Sequence, residues 1–474
     1  MDIKNICCIG AGYVGGPTMA VIAKHCSEIQ VNVVDINQER ISQWNETNLS
    51  NLPIYEPRLK EIVEKCRGRN LHFSTDMKQN IGKADLIFIS VNTPTKTQGI
   101  GSGQAIDLKY VEASSREISK YAKGHTVVVE KSTLPVKTAQ TIKSILDEAV
   151  RDKNNLGSKK TFSVLSNPEF LAEGTAINDL ENPDRVLIGG DDKEAIENLV
   201  NIYSKWIDKQ KVLTTDLWSS ELSKLISNAF LAQRISSINT ISALCEATGA
   251  RIKDVSLAVG MDRRIGKYFL NSGPGFGGSC FKKDISNLVY ISNHYGLFEV
   301  ADYWQKVLDI NSWQQSRFVE LIVKTLFGTI SSKTIAILGF SFKANTNDTR
   351  ESPAIYICKK LIEEGAYLKI YDPKVKQNQI SKDLSSHDKE MGKKNWIHSN
   401  SIYNTFENAD AAVVLTEWEQ FQSLNWQEIS KKMRRPSWVF DTRSIVNINQ
   451  VKESGINIWQ VGYGNQEDYL PIKI

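Results

Sequence analysis

At 474 residues the chain is long for one core, so two or three domains are the expected packing. Its 58 basic and 54 acidic residues leave a formal charge of +4, too near balance to mark a nucleic acid or another polyanion as partner. The seven cysteines, at 7, 8, 26, 66, 245, 280 and 358, contain no Cys-x-x-Cys pair, and the six histidines form no His-Glu-x-x-His, so neither a disulfide framework nor a metal centre is indicated.

In chain order, the first strand is expected by Ile3, which leaves no room for a secretory leader. No apolar run is long enough to span a bilayer, and a reducing, cytoplasmic compartment is the expectation. Ile3–Ile9, Val31–Val34, Leu86–Val91, Thr126–Val129 and Phe162–Leu165 read as Val/Ile-rich strands without polar alternation. Strands of that kind are buried on both faces, as in a parallel sheet. Helical patterns fall between them at about Tyr13–Cys26, Leu108–Tyr121 and Lys137–Val150, which predicts a doubly wound α/β domain closed by Val186–Gly190 and Val212–Leu213. From Ser219 the apolar spacing turns helical, with Ser219 or Ser220 as the expected cap and Gly249 as the stop. A second long helix is expected over Phe298–Leu326, and helices this long usually bridge domains or pair subunits. After Gly328 the α/β rhythm resumes with strands Thr334–Leu338 and Leu368–Tyr371 around a helix Ala354–Glu364. The fold expected is α/β, two Rossmann-like domains (1–217 and 329–474) joined by a long-helix domain (218–328).

Gly10, Ala11, Gly12, Tyr13, Val14 and Gly15 form a Gly-x-Gly-x-x-Gly between a strand and a helix. The first glycine permits the turn, the second lets backbone approach a pyrophosphate, and the third lets helix meet strand. Asp35 closes the second strand 20 residues beyond Gly15, where a carboxylate accepts ribose hydroxyls and repels a 2′-phosphate. NAD is therefore expected over NADP, although Arg40 reaches the same region. The second half has Gly339-Phe340-Ser341-Phe342-Lys343 at the matching place, without a glycine pair. A different nucleotide, held partly by Lys343, or a purely structural α/β cap fits that loop.

Gly275-Phe276-Gly277-Gly278-Ser279-Cys280 lets backbone and substrate approach a thiol closely. Lys282 and Lys283 are placed to lower its pKa, and Asp284 supplies a base. A dehydrogenase that stops at an aldehyde needs no thiol. An aldehyde loses a second hydride only after something adds to it, so a dinucleotide fold with a glycine-flanked cysteine suggests a four-electron oxidation through a thioester. Glu169 follows a strand end as a candidate general acid/base, and Glu173 lies within reach of a cofactor. Lys224 and Asn228, one helical turn apart, can stabilise an oxyanion. An exposed Lys/Asn stripe is the bland alternative.

Together these motifs resemble the UDP-glucose/GDP-mannose dehydrogenase family. The likeness covers Ile9–Thr18, Ser90–Thr95, Glu130–Thr133, Asn167–Ala176, Asn182–Gly190, Ser219–Gly249, Gly260–Gly266, Gly275–Asp284, Gly339–Lys343 and Asp348–Ser352. The resemblance implies oxidation of UDP-glucose to UDP-glucuronate with two NAD per sugar. It implies Cys280 as nucleophile, Glu169 as acid/base for thioester hydrolysis, Lys224 and Asn228 at the oxyanion, and Asp284 with Thr133 ordering the water. For NAD it points to Gly10–Gly15, Asp35, Arg40, Val91, Asn92, Thr93, Pro94, Thr95, Ser132, Thr133, Leu134, Glu173, Cys280, Lys283 and Arg350. For the UDP-sugar it points to Glu169, Phe170, Leu171, Ala172, Glu173, Lys224, Asn228, Arg264, Phe269, Asn271, Gly275, Phe276, Gly277, Phe342, Lys343 and Arg443. In the family the residue matching Arg264 enters a neighbouring subunit's site, which implies a homodimer and often a hexamer.

Three departures stand out. Asn271 replaces a usual basic residue, Thr442 replaces a common glycine, and only a short stretch follows Tyr469 where animal-type members carry a long polar tail. GDP-mannose is the competing sugar nucleotide within the family. N-acetylhexosamine relatives usually place His before the cysteine, where Ser279 stands here. A two-electron hydroxyacid-type dehydrogenase has no use for Cys280, and a sugar-nucleotide sensor has no use for the intact reactive set.

Overall fold

The structure, a computed structural model, describes residues 2–151, 160–391 and 394–464; the stretch around Tyr469 lies outside them. The chain divides into two units, one through Ser227 and one from Asn228.

The first unit is built on eight strands: β1 (Asn5–Ile9), β2 (Gln30–Val34), β3 (Leu71–Ser74), β4 (Leu86–Ile89), β5 (His125–Glu130), β6 (Thr161–Ser166), β7 (Val186–Gly189) and β8 (Val212–Thr215). Their order is β3-β2-β1-β4-β5-β6-β7-β8. The missing polar alternation has a direct cause. Ile6, Cys8, Phe88, Val127 and Val129 face one core, while Cys7, Ile9, Ile87, Ile89 and Val128 face the other, so both faces are dry. The sheet is parallel except at one junction. β6 meets β7 antiparallel at Ser166 and Gly189, and β8 then runs parallel to β7. A parallel return needs a crossover long enough to recross the sheet. The only helix between β6 and β7, Ala176–Glu181, has 6 residues, so β7 enters from the end where β6 finished.

The second unit carries β9 (Thr334–Leu338), β10 (Tyr367–Tyr371), β11 (Trp396–His398), β12 (Ala411–Val414), β13 (Trp438–Asp441) and β14 (Asn457–Gln460). They form a parallel sheet in the order β11-β10-β9-β12-β13-β14. Each sheet reverses its winding beside its first strand, between β1 and β4 and between β9 and β12. Ligands of open α/β sheets bind at the carboxyl ends of strands at such points.

The two long helices form as the spacing predicts, over Leu217–Thr248 and Phe298–Thr325. The cap of the first differs. Asp216 Oδ1 accepts from the Ser219 N–H at 2.9 Å, so the helix starts before the serines. Ser220 turns inward instead and donates to Ser166 Oγ at 3.1 Å. Gly249, at φ +83°, ends the helix as expected. Among the described residues no helix is long and apolar enough to cross a membrane.

Candidate active site

The turn after β1 is shaped by contact on two sides and by space on the third. A Cβ at Gly10, whose φ is +112°, would stand 2.1 Å from the Ser90 carbonyl oxygen, and one at Gly15 would stand 2.0 Å from the Gly10 carbonyl oxygen. A Cβ at Gly12 would meet nothing within 4 Å, so protein packing does not explain that glycine. The space over Gly12 fits a pyrophosphate, and the helix Gly15–His25 behind it begins without a side-chain cap. Asp35 is half committed. Its Oδ2 accepts from the Ala11 N–H at 2.9 Å and from Arg40 Nη1 at 3.0 Å, and its Oδ1 accepts from the Asn37 N–H at 2.9 Å. Arg40 thus reaches the same corner as Asp35, as an ion pair with the acid. Tyr13 turns its hydroxyl to Glu56 and to the Tyr55 carbonyl.

Loops from β4 and β5 border the same turn. Ser132 Oγ donates to the Val91 carbonyl at 2.8 Å, fixing the start of the Val91–Thr95 loop, in which Asn92 is exposed. The Leu134 side chain belongs to the core, which leaves its backbone as the part able to face a ligand.

After β6 the chain places Glu169 in a dry pocket of charge. Its Oε1 lies 3.7 Å from Lys224 Nζ and accepts from Thr133 Oγ1 at 3.4 Å, and all three side chains are buried. Its Oε2 is buried with no hydrogen-bond partner among the described residues, the condition of an acceptor kept for a ligand. Phe170 stacks under the Arg185 guanidinium, 3.8 Å from the ring centre, with Lys224 Nζ at 5.4 Å. The segment that follows is pinned at Ala172, whose N–H donates to Asp179 Oδ2 at 2.9 Å, and at Gly174, whose N–H donates to Glu56. Leu171, just before the first of these, and Glu173, between them, are half-buried. Sequence reasoning missed Lys131, buried at the end of β5, whose Nζ donates to Asn167 Oδ1 at 3.1 Å and Tyr203 Oη at 3.4 Å. Burial pushes its ammonium down to about 8. The available signal was the charged pair Glu130-Lys131 directly following the apolar run Val127–Val129.

In the second unit Cys280 stands at the start of the helix Phe281–His294, where the helix dipole favours a thiolate. It is the one cysteine of the seven that is not buried, and its Sγ lies 3.5 Å from Ser279 Oγ. Burial pushes the other thiols up, Cys7 to about 12 and Cys26 to about 11. The neighbouring glycines allow close approach within the chain: a Cβ at Gly275 would meet Asn311 Oδ1 at 2.6 Å, and one at Gly277 would meet the Glu351 carbonyl at 2.5 Å. Gly278 presses on the Phe342 ring and donates to the Arg350 carbonyl at 2.8 Å. Lys282 is not aimed at the thiol as its proximity in sequence suggested; its Nζ pairs with Glu351 at 2.8 Å on the surface. Lys283 Nζ lies 3.6 Å from Asp284 Oδ1, and Asn228 Nδ2 donates to Asp284 Oδ2 at 2.6 Å.

The Phe269–Gly277 strap is held by three buried amides that the motif reading missed. Asn239 Oδ1 accepts from Gly273, Gln314 Nε2 donates to Gly273, and Asn311 Oδ1 accepts from Phe276 at 2.7 Å. Phe269 and Phe276 both meet the Phe281 ring edge-on. Asn271 is exposed, and Arg264, whose side chain is 84% exposed, pairs only locally with Asp262.

At the β9/β12 switch point, Asp372 occupies the place that Asp35 takes in the first sheet, and it is spent. Its Oδ2 accepts from the Phe340 and Ser341 N–H groups and from Trp418 Nε1, and its Oδ1 accepts from those of Lys374 and Val375. No ribose can claim that carboxylate, which agrees with the missing glycine pair. Arg443 instead ties the loops, with Nε donating to the Leu415 carbonyl at 2.8 Å and Nη2 to the Phe342 carbonyl at 3.1 Å. The Thr442 hydroxyl is consumed internally by the Val414 carbonyl at 2.6 Å. Lys343 is half-buried beside the Phe342 ring, and Arg350 is exposed and paired with Asp348. Among the described residues no group of three or more His, Cys, Asp or Glu side chains could hold a metal ion.

A Rossmann-like sheet with an open dinucleotide turn, a second such sheet without one, and an accessible thiol at a helix start define an NAD-dependent oxidoreductase with a separate nucleotide domain. Family models agree in the same order: the NAD binding domain of the UDP-glucose/GDP-mannose dehydrogenase family matches residues 4–207, its central domain 218–313, and its UDP binding domain 336–448. The chain belongs to that family. A UDP-glucose 6-dehydrogenase of Bos taurus is 54% identical over 97% of this chain and 93% of its own. UDP-glucose 6-dehydrogenase 1 of Glycine max is 52% identical over 97% of each. The structure of a UDP-glucose dehydrogenase from the archaeon Pyrobaculum islandicum superposes with a TM-score of 0.83 at 27% identity, covering 98% of each chain.

Proposed function

We propose that the protein oxidises UDP-glucose to UDP-glucuronate with two NAD+ and one water per sugar, through a thioester on Cys280. The observation that carries this reading is the thiol itself: among seven cysteines, the one not buried sits at a helix N-terminus, two residues after the glycine-rich Gly275–Gly278 run. UDP-glucose is favoured over GDP-mannose because the relatives at 52–54% identity bear the name UDP-glucose 6-dehydrogenase.

NAD, when bound, supplies the hydride acceptor for both oxidations, held by Gly10–Gly15, Asp35, Arg40, Val91–Thr95, Ser132–Leu134, Glu173, Lys283 and Arg350. Lys224 and Asn228 donate to the C6 oxygen as its charge develops. Cys280 Sγ adds to the C6 aldehyde, forming a C–S bond, and oxidation of the hemithioacetal leaves the thioester. Glu169 takes a proton from the attacking water, which Thr133 and Asp284 order, and the C–S bond then breaks to release the carboxylate. The sugar nucleotide lies along Phe170–Glu173, Phe269–Gly277, Phe342, Lys343 and Arg443. Arg264, exposed on its own protomer, completes the site of a second copy, so a homodimer or a hexamer is the working form. The borders at 217/218 and 328/329 and a cytoplasmic setting belong to the same reading.

Counting NADH formed per UDP-glucose tests the proposal. Two supports it, one indicates a simple dehydrogenase, and none indicates a sensor. Cys280→Ser is expected to abolish turnover while NAD binding persists; normal turnover would end the covalent mechanism.

A further inference from the structure

Glu56 has no part in the chemistry just described, yet its side chain is buried in the first unit, at 6% exposure, against segments that do. A carboxylate is costly to bury unless its oxygens are occupied. Here they are occupied from two directions. Oε1 accepts from the Tyr13 hydroxyl, and Tyr13 stands between Gly12 and Gly15 in the turn that fits a pyrophosphate. The Tyr55 carbonyl accepts the same hydroxyl at 3.1 Å, so Tyr13 rests on two successive residues. Oε1 also accepts from the Gly174 N–H, and Oε2 accepts from the Ala176 N–H at 3.1 Å, both just past Glu173. One side chain, 43 residues from Tyr13 and 118 from Gly174, touches the cofactor turn and the end of the Phe170–Glu173 segment together.

Holding the short helix Ala176–Glu181 in place does not call for this arrangement. Thr175 stands at its N-cap, where a local hydroxyl or carboxylate commonly serves, but the Thr175 hydroxyl donates to Asp179 Oδ2 at 2.8 Å instead. The far end of the helix is fixed separately, since Glu181 accepts from Arg58 Nη2 at 2.6 Å and from Lys24 Nζ. A local cap would satisfy the Ala176 N–H equally well, but it would not reach Tyr13. What Glu56 adds is one group shared by the two segments. We infer that Glu56 is a positioning residue that clasps the cofactor turn, through Tyr13, to the sugar-nucleotide segment, through Gly174 and Ala176, and so sets both for their ligands. This rests on the turn holding NAD and the Phe170–Glu173 segment holding the sugar nucleotide, as in the proposed reaction.

The test is equilibrium binding of NADH, by fluorescence, and of UDP-glucose, by calorimetry, each alone to the full-length protein, with melting temperatures beside them. Glu56→Gln turns an amide N–H toward one of the donors that Glu56 now accepts from, and it should weaken both ligands by about tenfold. Tyr13→Phe breaks one arm of the clasp and should weaken NADH alone. The double variant should bind NADH about as weakly as Glu56→Gln does, because two residues that act through one bond do not add. A lower melting temperature with both affinities unchanged would make Glu56 a residue of the fold only and overturn the inference. So would weakening of a single ligand by Glu56→Gln, or additive losses in the double variant. If Glu56→Gln does not fold, Tyr13→Phe decides alone: selective weakening of NADH upholds the inference, and any other result overturns it. If the unaltered protein neither binds UDP-glucose nor makes NADH from it, the functional reading fails instead, and the two failures are distinct.

Discussion

Asn228 Nδ2 donates to Asp284 Oδ2 at 2.6 Å, and both side chains are buried. A charge-assisted bond of that kind fixes which way the amide faces, so Asp284 governs how Asn228 presents itself to a ligand. Asp284 also opens the helix Phe281–His294, where a carboxylate suits the dipole. Asp284→Asn keeps the volume and removes the charge. Turnover should fall by about 10²–10³-fold, the scale of losing one oriented donor at a developing oxyanion. Equilibrium NAD binding should stay as it was. Steady-state assays beside NAD titrations check both, and near-normal turnover would release Asn228 and Asp284 from their assigned roles.

Thiol reactivity offers a second check that needs no substrate. Burial raises the pKa of Cys7, Cys8, Cys26, Cys66, Cys245 and Cys358, whereas Cys280 is accessible at a helix N-terminus. Treating the native protein with iodoacetamide should add one carbamidomethyl group, on Cys280, in step with loss of activity. Peptide mass spectra read the site. Labelling at any buried cysteine ahead of Cys280, with activity lost in parallel, would move the nucleophile elsewhere.

The ion pair between Asp35 Oδ2 and Arg40 Nη1, at 3.0 Å, places both signs of charge at the ribose corner. The acid repels a 2′-phosphate, and it also occupies the cation that would bind one. Asp35→Asn keeps an acceptor for the Ala11 N–H and frees Arg40. The ratio of kcat/KM for NADP to that for NAD should rise about tenfold, equivalent to ~1.4 kcal/mol. A ratio unchanged in this variant would show that Asp35 does not set cofactor preference.

How much of this was legible follows from how local each cause is. The Gly10–Gly15 turn with Asp35, the apolar strands and both long helices are short-range patterns, and the sequence states them outright. The β6/β7 reversal was hidden because it depends on the 6-residue helix Ala176–Glu181 being too short to recross the sheet, a property of the connection and not of the strands. Asp216 displaced Ser219 and Ser220 as the cap because the helix starts two residues before Ser219. Lys282 looked poised beside Cys280, but successive residues at a helix start diverge, and Glu351 captures it. Asn239, Asn311 and Gln314, which hold the strap around Gly273 and Phe276, read as ordinary polar positions until the fold faces them inward.

One buried pair ties stability to pH. Glu130 and Glu221 are both sealed from solvent, and Glu130 Oε2 has no hydrogen-bond partner among the described residues. Glu221 accepts from the Lys137 and Ala139 N–H groups at 2.6 and 2.7 Å, at the start of the helix Thr138–Arg151. Burial raises both carboxyls, and the nearness of Glu221 raises Glu130 further. The folded protein therefore keeps a proton that the unfolded chain has already lost once pH passes the ordinary glutamate range. Unfolding releases that proton, so stability falls as pH rises from there to the pair's raised value, by at most ~1.4 kcal/mol per pH unit, and levels off above it. Glu130→Gln supplies a permanently neutral partner and removes that proton from the linkage. Between about pH 5 and pH 8 its melting temperature should decline less steeply than that of the unaltered protein, with the larger gain at the alkaline end. Parallel melting curves across that range would mean the pair is not sharing a proton, and that the start of the helix Thr138–Arg151 tolerates two charges in a dry site.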